Sequence, residues 1–362
     1  MREIRSSRVV VVGGAGFLGS HLVDHLINDR HCNVLVIDNL VAGKLEYVNK
    51  KAHFEHYDIT GSETYLHRLF KRFQAEYVFN HAAEPYIPVS FERPIHVFNV
   101  NAFGALKVIN AAQEAGVTGI LQVSSAEIYG EQYAGGPHHG GKIAENAPVI
   151  PHSSYGAAKA AIDSMVQVRW KEAKTPVISL RQFNCIGERE THPYVVPEII
   201  SQLSQLDDKA LGAPTKELND MLRQAITPFV RLGNNSTRDF QYAGDAVRFA
   251  TQLLEHGEFG EVYNMGSESC VKIYDLAETI GELMGFRSVE VRHDPSRDRP
   301  WEIWHLQSDN TKLYNAIGYS RGYPTILPLE ESLERTIRWY EQMNSRWPWE
   351  EKELERGTVS TA

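Results

Sequence analysis

Two pairs of side chains carry the chemistry open to this chain. Tyr155 and Lys159 stand four apart in "SSYGAAKAA", so a helix sets them on one face. A phenol, with an ordinary pKa of about 10, acts as a base at neutral pH only where positive charge steadies its phenolate, and the neighbouring ammonium is one such charge. The second pair is Ser125 and Glu127 in "VSSAEIYG", at the end of an apolar run. Continuing a strand through them places both side chains on one side and Ala126 on the other. One hydroxyl then steadies a carbinol, and one carboxylate stands ready for a second proton. Each pair also has a plainer reading. Y-x-x-x-K is equally an exposed helical pair, and Glu127 equally suits a helix cap or a salt bridge.

A phosphate cradle precedes them. In "VVVVGGAGFLGSH", Gly13, Gly16 and Gly19 follow a valine strand and open a helix, where glycine lets a pyrophosphate approach backbone N–H groups. Such a loop also occurs as a tight turn without a ligand. Asp38 strengthens the reading, because it ends the second strand in "VLVIDNL", where an acid accepts from both ribose hydroxyls. An acid there repels a 2'-phosphate, and no arginine directly follows, so NAD is expected rather than NADP. A nicotinamide cation beside Tyr155 adds the second positive charge, and proton and hydride can leave one carbinol together. Asp58 in "HYDIT" reads equally as an adenine contact or a turn aspartate.

The elements that must hold these residues alternate. Short apolar runs ("RVVVV", "NVLVID", "HFEHYD", "YVFNHAA", "GILQVSS") are separated by helical patterns near Phe17 to Asp29 and Ile95 to Ala115. Runs apolar throughout, with helices between, predict a parallel sheet covered on both faces, a doubly wound α/β fold. A helix near Tyr155 to Lys174 leads to a sixth strand, "PVISLRQFN". The expected division is a nucleotide-binding Rossmann domain over 1–186, with 240–270 returning to it through the helical "QYAGDAVRFATQLL" and the strand "EVYNMGS". A smaller mixed α/β lobe over 187–343, with a polar helical stretch near Asp207 to Ala225, and a polar tail over 344–362 complete it.

A net charge of -9 argues against a nucleic-acid surface. Three scattered cysteines, Cys32, Cys185 and Cys270, form neither a disulfide framework nor a zinc site, which fits a reducing cytoplasm. His138 and His139 lack a carboxylate or cysteine at ligand spacing, so no metal is expected. The N-terminal valine run is too short for a membrane span.

From Arg8 to Tyr340, "GGAGFLG", "NHAAE", "SSAEIYG", "YGAAK", "LRQFN", "TRDF" and "YNMGS" follow in an order that resembles the extended short-chain dehydrogenase/reductases, the branch that modifies nucleotide-activated sugars. The resemblance implies that Ser125 binds the sugar hydroxyl being oxidised and that Tyr155, Lys159 and Phe183 contact the nicotinamide. It further implies cofactor contacts from Phe17, Leu18, Asn39, Ile59, Ala82, Ala83, Asn101 and Ser124. Glu84, Asn184, Arg238 and Arg299 become substrate contacts, the arginines suiting a diphosphate through their planar fork of donors. Without the resemblance, Arg238 beside Asp239 reads as a surface pair.

S/T-x-E-x-Y-G is similar to 4,6-dehydratases of GDP-mannose and dTDP-glucose and to UDP-glucuronate decarboxylases. Dehydration needs a base for the C5 proton beside the C4 ketone, and inversion at C4 does not. "LGNNSTRDFQYAGD" and "RPWEIWHLQSDNTK" resemble dehydratase segments, whereas "HAAEPYIPVSFERP" departs from the decarboxylase pattern. Ala126 stands where dTDP-glucose dehydratases place an aspartic acid to protonate the leaving oxygen, so that proton falls to Glu127 or water. The leading expectation is a nucleotide-sugar 4,6-dehydratase. A 4-epimerase with a structural Glu127 is the alternative, followed by the decarboxylase and a non-catalytic NAD-binding regulator. The helices near "NAFGALKVINAAQEAG" and "YGAAKAAIDSMVQV" carry more small and apolar residues than one core needs, and related enzymes form a homodimer through them as a four-helix bundle. Selectivity for sugar and base is expected around 191–197, 206–229 and 293–305.

Overall fold

The computed structural model describes residues 2–132, 140–190, 194–210, 216–319 and 326–343. His138, His139, residues 191–193 and the tail from Asn344 lie outside them.

The chain first builds β1 (Arg8–Val12), α1 (Phe17–Asn28), β2 (Asn33–Asp38), β3 (His53–His56), α2 (Glu63–Phe73) and β4 (Tyr77–Asn80). Then come α3 (Ile87–Glu92), α4 (Pro94–Phe98), α5 (Ala105–Ala115), β5 (Gly119–Ser125), α6 (Ser154–Ala173), β6 (Val177–Gln182) and β7 (Asn184–Ile186). The C-terminal part adds α7 (Val195–Ala210), α8 (Lys216–Ala225), β8 (Phe229–Leu232), β9 (Thr237–Tyr242), α9 (Ala243–His256) and β10 (Val262–Met265). It ends with β11 (Cys270–Lys272), α10 (Ile273–Leu283), β12 (Glu290–His293), α11 (Thr311–Ala316) and α12 (Leu329–Gln342).

Seven parallel strands form the main sheet in the order β10-β6-β5-β4-β1-β2-β3. Its strands are apolar throughout because both faces are covered. Val9 and Val11 pack with Leu22, Leu26, Phe249 and Leu253 of α1 and α9, while Val10 and Val12 pack with Leu66, Phe70, Val108 and Ile162 of α2, α5 and α6. Strand order reverses between β1 and β4, and that crevice is where open sheets of this type bind ligands. A smaller core around Ile200, Leu203, Val230, Leu276 and Ile337 holds the C-terminal elements together. Beside it lie a three-stranded sheet, β11-β9-β7, and the pair β12-β8.

The structure refines several expected elements. The helix expected over Ile95 to Ala115 is α4 and α5 with a π-helical segment, Asn99–Gly104, between them. "PVISLRQFN" is two strands: β6 ends at Gln182, Phe183 donates its N–H to Met265 O at 2.9 Å, and β7 joins the small sheet instead. The polar stretch near Asp207 to Ala225 covers the end of α7 and all of α8. Of residues 240–270, α9 and β10 lie with the large sheet, whereas β9 and β11 pair in the small one.

A buried pair fixes the helix that carries Tyr155. Arg181 of β6 donates to Asp163 of α6 at 2.8 Å, and Ser179 donates to the same carboxylate at 2.5 Å. Because breaking such a pair strands a charge in the core, it holds α6 to one position over the sheet.

Candidate active site

A cavity of about 730 Å³ runs from the turn after β1, across the ends of β4, β5 and β6, to the segment after β12. Its first end is the glycine turn. Gly13 is left-handed (φ +80°), and a Cβ there would stand 2.6 Å from Ala82 N. A Cβ on Gly19 would stand 2.0 Å from Gly13 O. Gly16 caps α1 without a side-chain bond, which leaves helix N–H groups facing the cavity. Phe17 and Leu18 line the same end.

Asp38 lines the cavity with each carboxylate oxygen already accepting one N–H: Ala15 at 2.9 Å and Leu40 at 2.8 Å. Each oxygen keeps a second lone pair for a hydroxyl. Asp58 forms the turn of its plainer reading. It lines the cavity beside Asn39 and Ile59, and it accepts from Thr60 N at 2.8 Å and Asn39 Nδ2 at 3.0 Å. Burial raises its carboxyl, but these bonds outweigh burial and bring it below the ordinary value.

Ser153 caps α6, accepting from Gly156 N at 3.0 Å, and so sets Tyr155 in the first turn with Lys159 one turn on. Lys159 Nζ donates to Val123 O at 3.0 Å and sits 5.9 Å from the Tyr155 ring centroid. Ser125, at the end of β5, is hydrogen-bonded to the Tyr155 hydroxyl. Burial pushes Tyr155 up to about 12 against that bond, and it brings Lys159 down to about 8. The pair alone is therefore a phenol beside an ammonium and not a preformed phenolate. Added positive charge is needed to ionise it. His81, brought down to about 4 by burial, lines the same wall, and its Nε2 has no partner among the described residues.

Ser125 and Glu127 do share the cavity, although not by strand alternation. The strand stops at Ser125, whose hydroxyl accepts from Glu127 N at 3.2 Å, and a 3-10 turn (Ala126–Ile128) carries Glu127 round. Ala126 lines the cavity too. Arg299 Nη1 lies 3.3 Å from Glu127 Oε1. Burial lowers Arg299, but Glu127 and Glu302 more than restore it.

Ala82, Ala83, Glu84, Ser124, Phe183, Asn184, Arg238 and Arg299 all line the cavity, and Asn101 does not. It lies fully buried in the π segment, where it accepts from Glu84 N at 2.8 Å and donates to Glu84 O at 3.0 Å. Its geometry is that of a clamp on Glu84. Arg238 forms no surface pair with Asp239, since both are buried. Its Nη1 donates to Thr237 O and Ile303 O at 3.0 and 2.7 Å, and its Nη2 to Glu302 at 2.8 Å. Most of its fork is spent on the protein.

Residues 9–266 match the model of the NAD dependent epimerase/dehydratase family. The chain belongs to that family. The enzyme is 29% identical over 361 residues to the dTDP-D-glucose 4,6-dehydratase of Mus musculus, covering 97% of this chain and 93% of the relative. It is similar to the UDP-glucose 4-epimerase of Thermotoga maritima solved with UDP-glucose (27% identity, TM-score 0.78, covering 93% and 99% of the two chains). It is similar as well to the UDP-glucose 4-epimerase of Thermus thermophilus in complex with NAD (26%, TM-score 0.76, covering 92% and 99%). NAD is the cofactor of this epimerase/dehydratase, and the site fits it. The turn closes so tightly that a methyl at Gly13 or Gly19 fills the space, and His81 offers a buried nitrogen with no partner among the described residues.

Several cavity residues of this epimerase/dehydratase escaped the sequence reading: His81, Tyr86, Glu190 and Glu198. His81 sits directly after β4 in the quoted "NHAAE", and that strand end was its signal. Of the three stretches expected to select sugar and base, 194–195 and 296–300 reach the cavity, with Glu302 beyond. No described residue of 206–229 lines it. No helix among the described residues is long and apolar enough to cross a membrane.

Proposed function

We propose that the enzyme is a nucleotide-sugar 4,6-dehydratase acting through transient oxidation at sugar C4. The observation that carries this reading is the Glu127 carboxylate, paired with Arg299 at 3.3 Å on the cavity wall that also presents the Ser125–Tyr155 hydrogen bond. Gly13, Gly16, Phe17, Leu18 and Gly19 would hold the pyrophosphate of NAD. Asp38, Asn39, Asp58 and Ile59 would hold its adenosine, and Ala82, Ala83, Ser124, Lys159 and Phe183 its nicotinamide half. When bound, NAD takes up the C4 hydride and gives it back.

The protein's own residues handle the protons. Ser125 steadies the C4 hydroxyl, and Tyr155 takes its proton once positive charge lowers the phenol. Lys159, fixed by its bond to Val123 O, lies over that ring and adds to the charge. With C4 a ketone, the C5 hydrogen is acidic and the Glu127 carboxylate removes it. The electron pair left behind forms the C5–C6 double bond as the C6 hydroxyl departs. Asn184 and the remaining donors of Arg299 face the diphosphate, while Arg238 braces the wall that carries Glu302.

The same wall favours a second reading at one point. If the Glu127–Arg299 pair is structural, the remaining triad suffices for a 4-epimerase, as the likeness to the Thermotoga enzyme allows. Turnover in deuterium oxide separates the two: dehydration puts deuterium at C5 with loss of the C6 oxygen, and an unlabelled C4 epimer removes the proposal. Carbon dioxide released from a UDP-glucuronate points to a decarboxylase. NAD binding with no turnover of any nucleotide sugar points to a regulator.

A homodimer is proposed with this reading, through a four-helix bundle of the α4–α5 segment and α6 from each copy. Ile95 (77% exposed), Phe103 (56%) and Val168 (37%) leave apolar surface on these helices that the single chain does not cover. Light scattering is expected to give twice the chain mass, and a monomer overturns the assembly. Three cysteines unpaired in the structure support a cytoplasmic setting.

A further inference from the structure

Loss of the C6 hydroxyl needs a proton as well as a base, because hydroxide is a poor leaving group. Glu127 cannot supply it while it serves as the base for the C5 proton. Its neighbour Ala126 has no proton to give. The acid must be another group of the cavity, and the carboxyls that line it can be sorted by what holds them.

Nearly all of them are engaged by hydrogen-bond donors or by basic side chains. Glu198 is paired with Arg297 at 2.9 Å, Glu302 with Arg238 at 2.8 Å, and Asp298 with His293 at 3.0 Å. Asp38 accepts two backbone N–H groups, and Asp58 accepts from Thr60 and Asn39. Glu84 accepts from Tyr86 N and lies 3.8 Å from His96.

Glu190 is the exception. It lines the cavity, is 4% exposed, and its Oε2 has neither a hydrogen-bond partner nor a cation among the described residues. A carboxyl so placed keeps its proton, since burial disfavours the anion and nothing offsets it. Burial alone raises it well above the ordinary carboxylate range.

Its position is also built. Arg189, left-handed at φ +68°, is tied to Asp24 of α1 at 2.7 Å. The Tyr340 hydroxyl of α12 donates to Glu190 O. Glu190 lines the same cavity as Tyr155 and Glu127, and Tyr194 lies within electrostatic reach of both Tyr155 and Glu190.

We propose that Glu190 is the general acid that protonates the C6 oxygen as it leaves, an assignment that rests on the dehydratase reading. The C5–H bond breaks with its proton going to Glu127, and its electrons form the C5–C6 double bond. The C6–O bond breaks with its electrons staying on oxygen, which takes the Glu190 proton and departs as water. Glu127 returns its proton to C5 as the hydride taken from C4 is given back at C6. The proton that Tyr155 gained from the C4 hydroxyl equals the one that Glu190 gave up, so the cycle closes without a further reactant.

The experiment compares the wild-type holoenzyme with Glu190→Gln, which keeps shape and polarity but has no acidic proton. The probes are dTDP-glucose and GDP-mannose, with their 6-deoxy-6-fluoro analogues, whose fluoride leaves without protonation. The expected loss of 4-keto-6-deoxy product is about 10²-fold or more, in the range of a general acid. In deuterium oxide the recovered sugar still gains deuterium at C5, and fluoride release stays within about threefold of wild type. Product formation within about threefold of wild type overturns the assignment, and so does an equal loss of C5 exchange and fluoride release, which marks a structural residue. A wild-type enzyme that dehydrates neither sugar overturns the dehydratase reading itself and this assignment with it.

Discussion

Tyr155→Phe lowers turnover by about 10³-fold while NAD still binds, the midpoint of what a positioned proton acceptor contributes. The ring keeps its place over α6, because the first turn is set by the Ser153 cap and not by the hydroxyl. Only the oxygen bonded to Ser125 is lost. Burial already holds that phenol at about 12, so at neutral pH the free side chain is protonated. Steady-state kinetics with a titration of NAD binding make the check. Full activity, or loss of the cofactor together with activity, contradicts the assignment.

Gly19→Ala abolishes cofactor binding at the opposite end of the cavity. The added methyl would stand 2.0 Å from Gly13 O and 2.9 Å from Gly14 Cα, both backbone atoms that no rotamer change can move. To relieve the contact, the turn must open, yet Gly13 is itself pressed against the Ala82 backbone. A fall in NAD affinity of at least 10²-fold is expected, with a stability loss of about 1 to 3 kcal/mol from overpacking. Calorimetric titration and thermal unfolding measure the two. Unchanged NAD affinity contradicts the cradle, whatever happens to stability.

Legibility in the sequence followed the range of the interactions. The valines of β1 announced a strand buried on both faces, and the glycine spacing with Asp38 announced the dinucleotide end, because those constraints act within one βαβ unit. Tyr155 and Lys159 were readable for the same reason, being one helical turn apart. The misreadings concern contacts that cross the fold. "PVISLRQFN" looks like one strand until Phe183 turns toward Met265, a residue far along the chain. Arg238 reads as half of a surface pair until Glu302, 64 residues on, claims its fork. The resemblance offered Asn101 as a cofactor contact, and nothing in "FNVNAFG" reveals the π turn in which it clamps Glu84. Glu190 sits in the charged string "ERET", which on sequence alone suggests solvent, although the fold buries it.

The most direct test follows one atom through the wild-type enzyme. Nucleotide sugars carrying deuterium at C4, dTDP-glucose first, are incubated with the holoenzyme and the products read by NMR and mass spectrometry. Removal of that hydrogen at C4 and its return after loss of the C6 oxygen predicts deuterium at C6 of a 4-keto-6-deoxy sugar. Deuterium still on C4 of an epimer, or a 4-keto-6-deoxy sugar without deuterium at C6, contradicts the account.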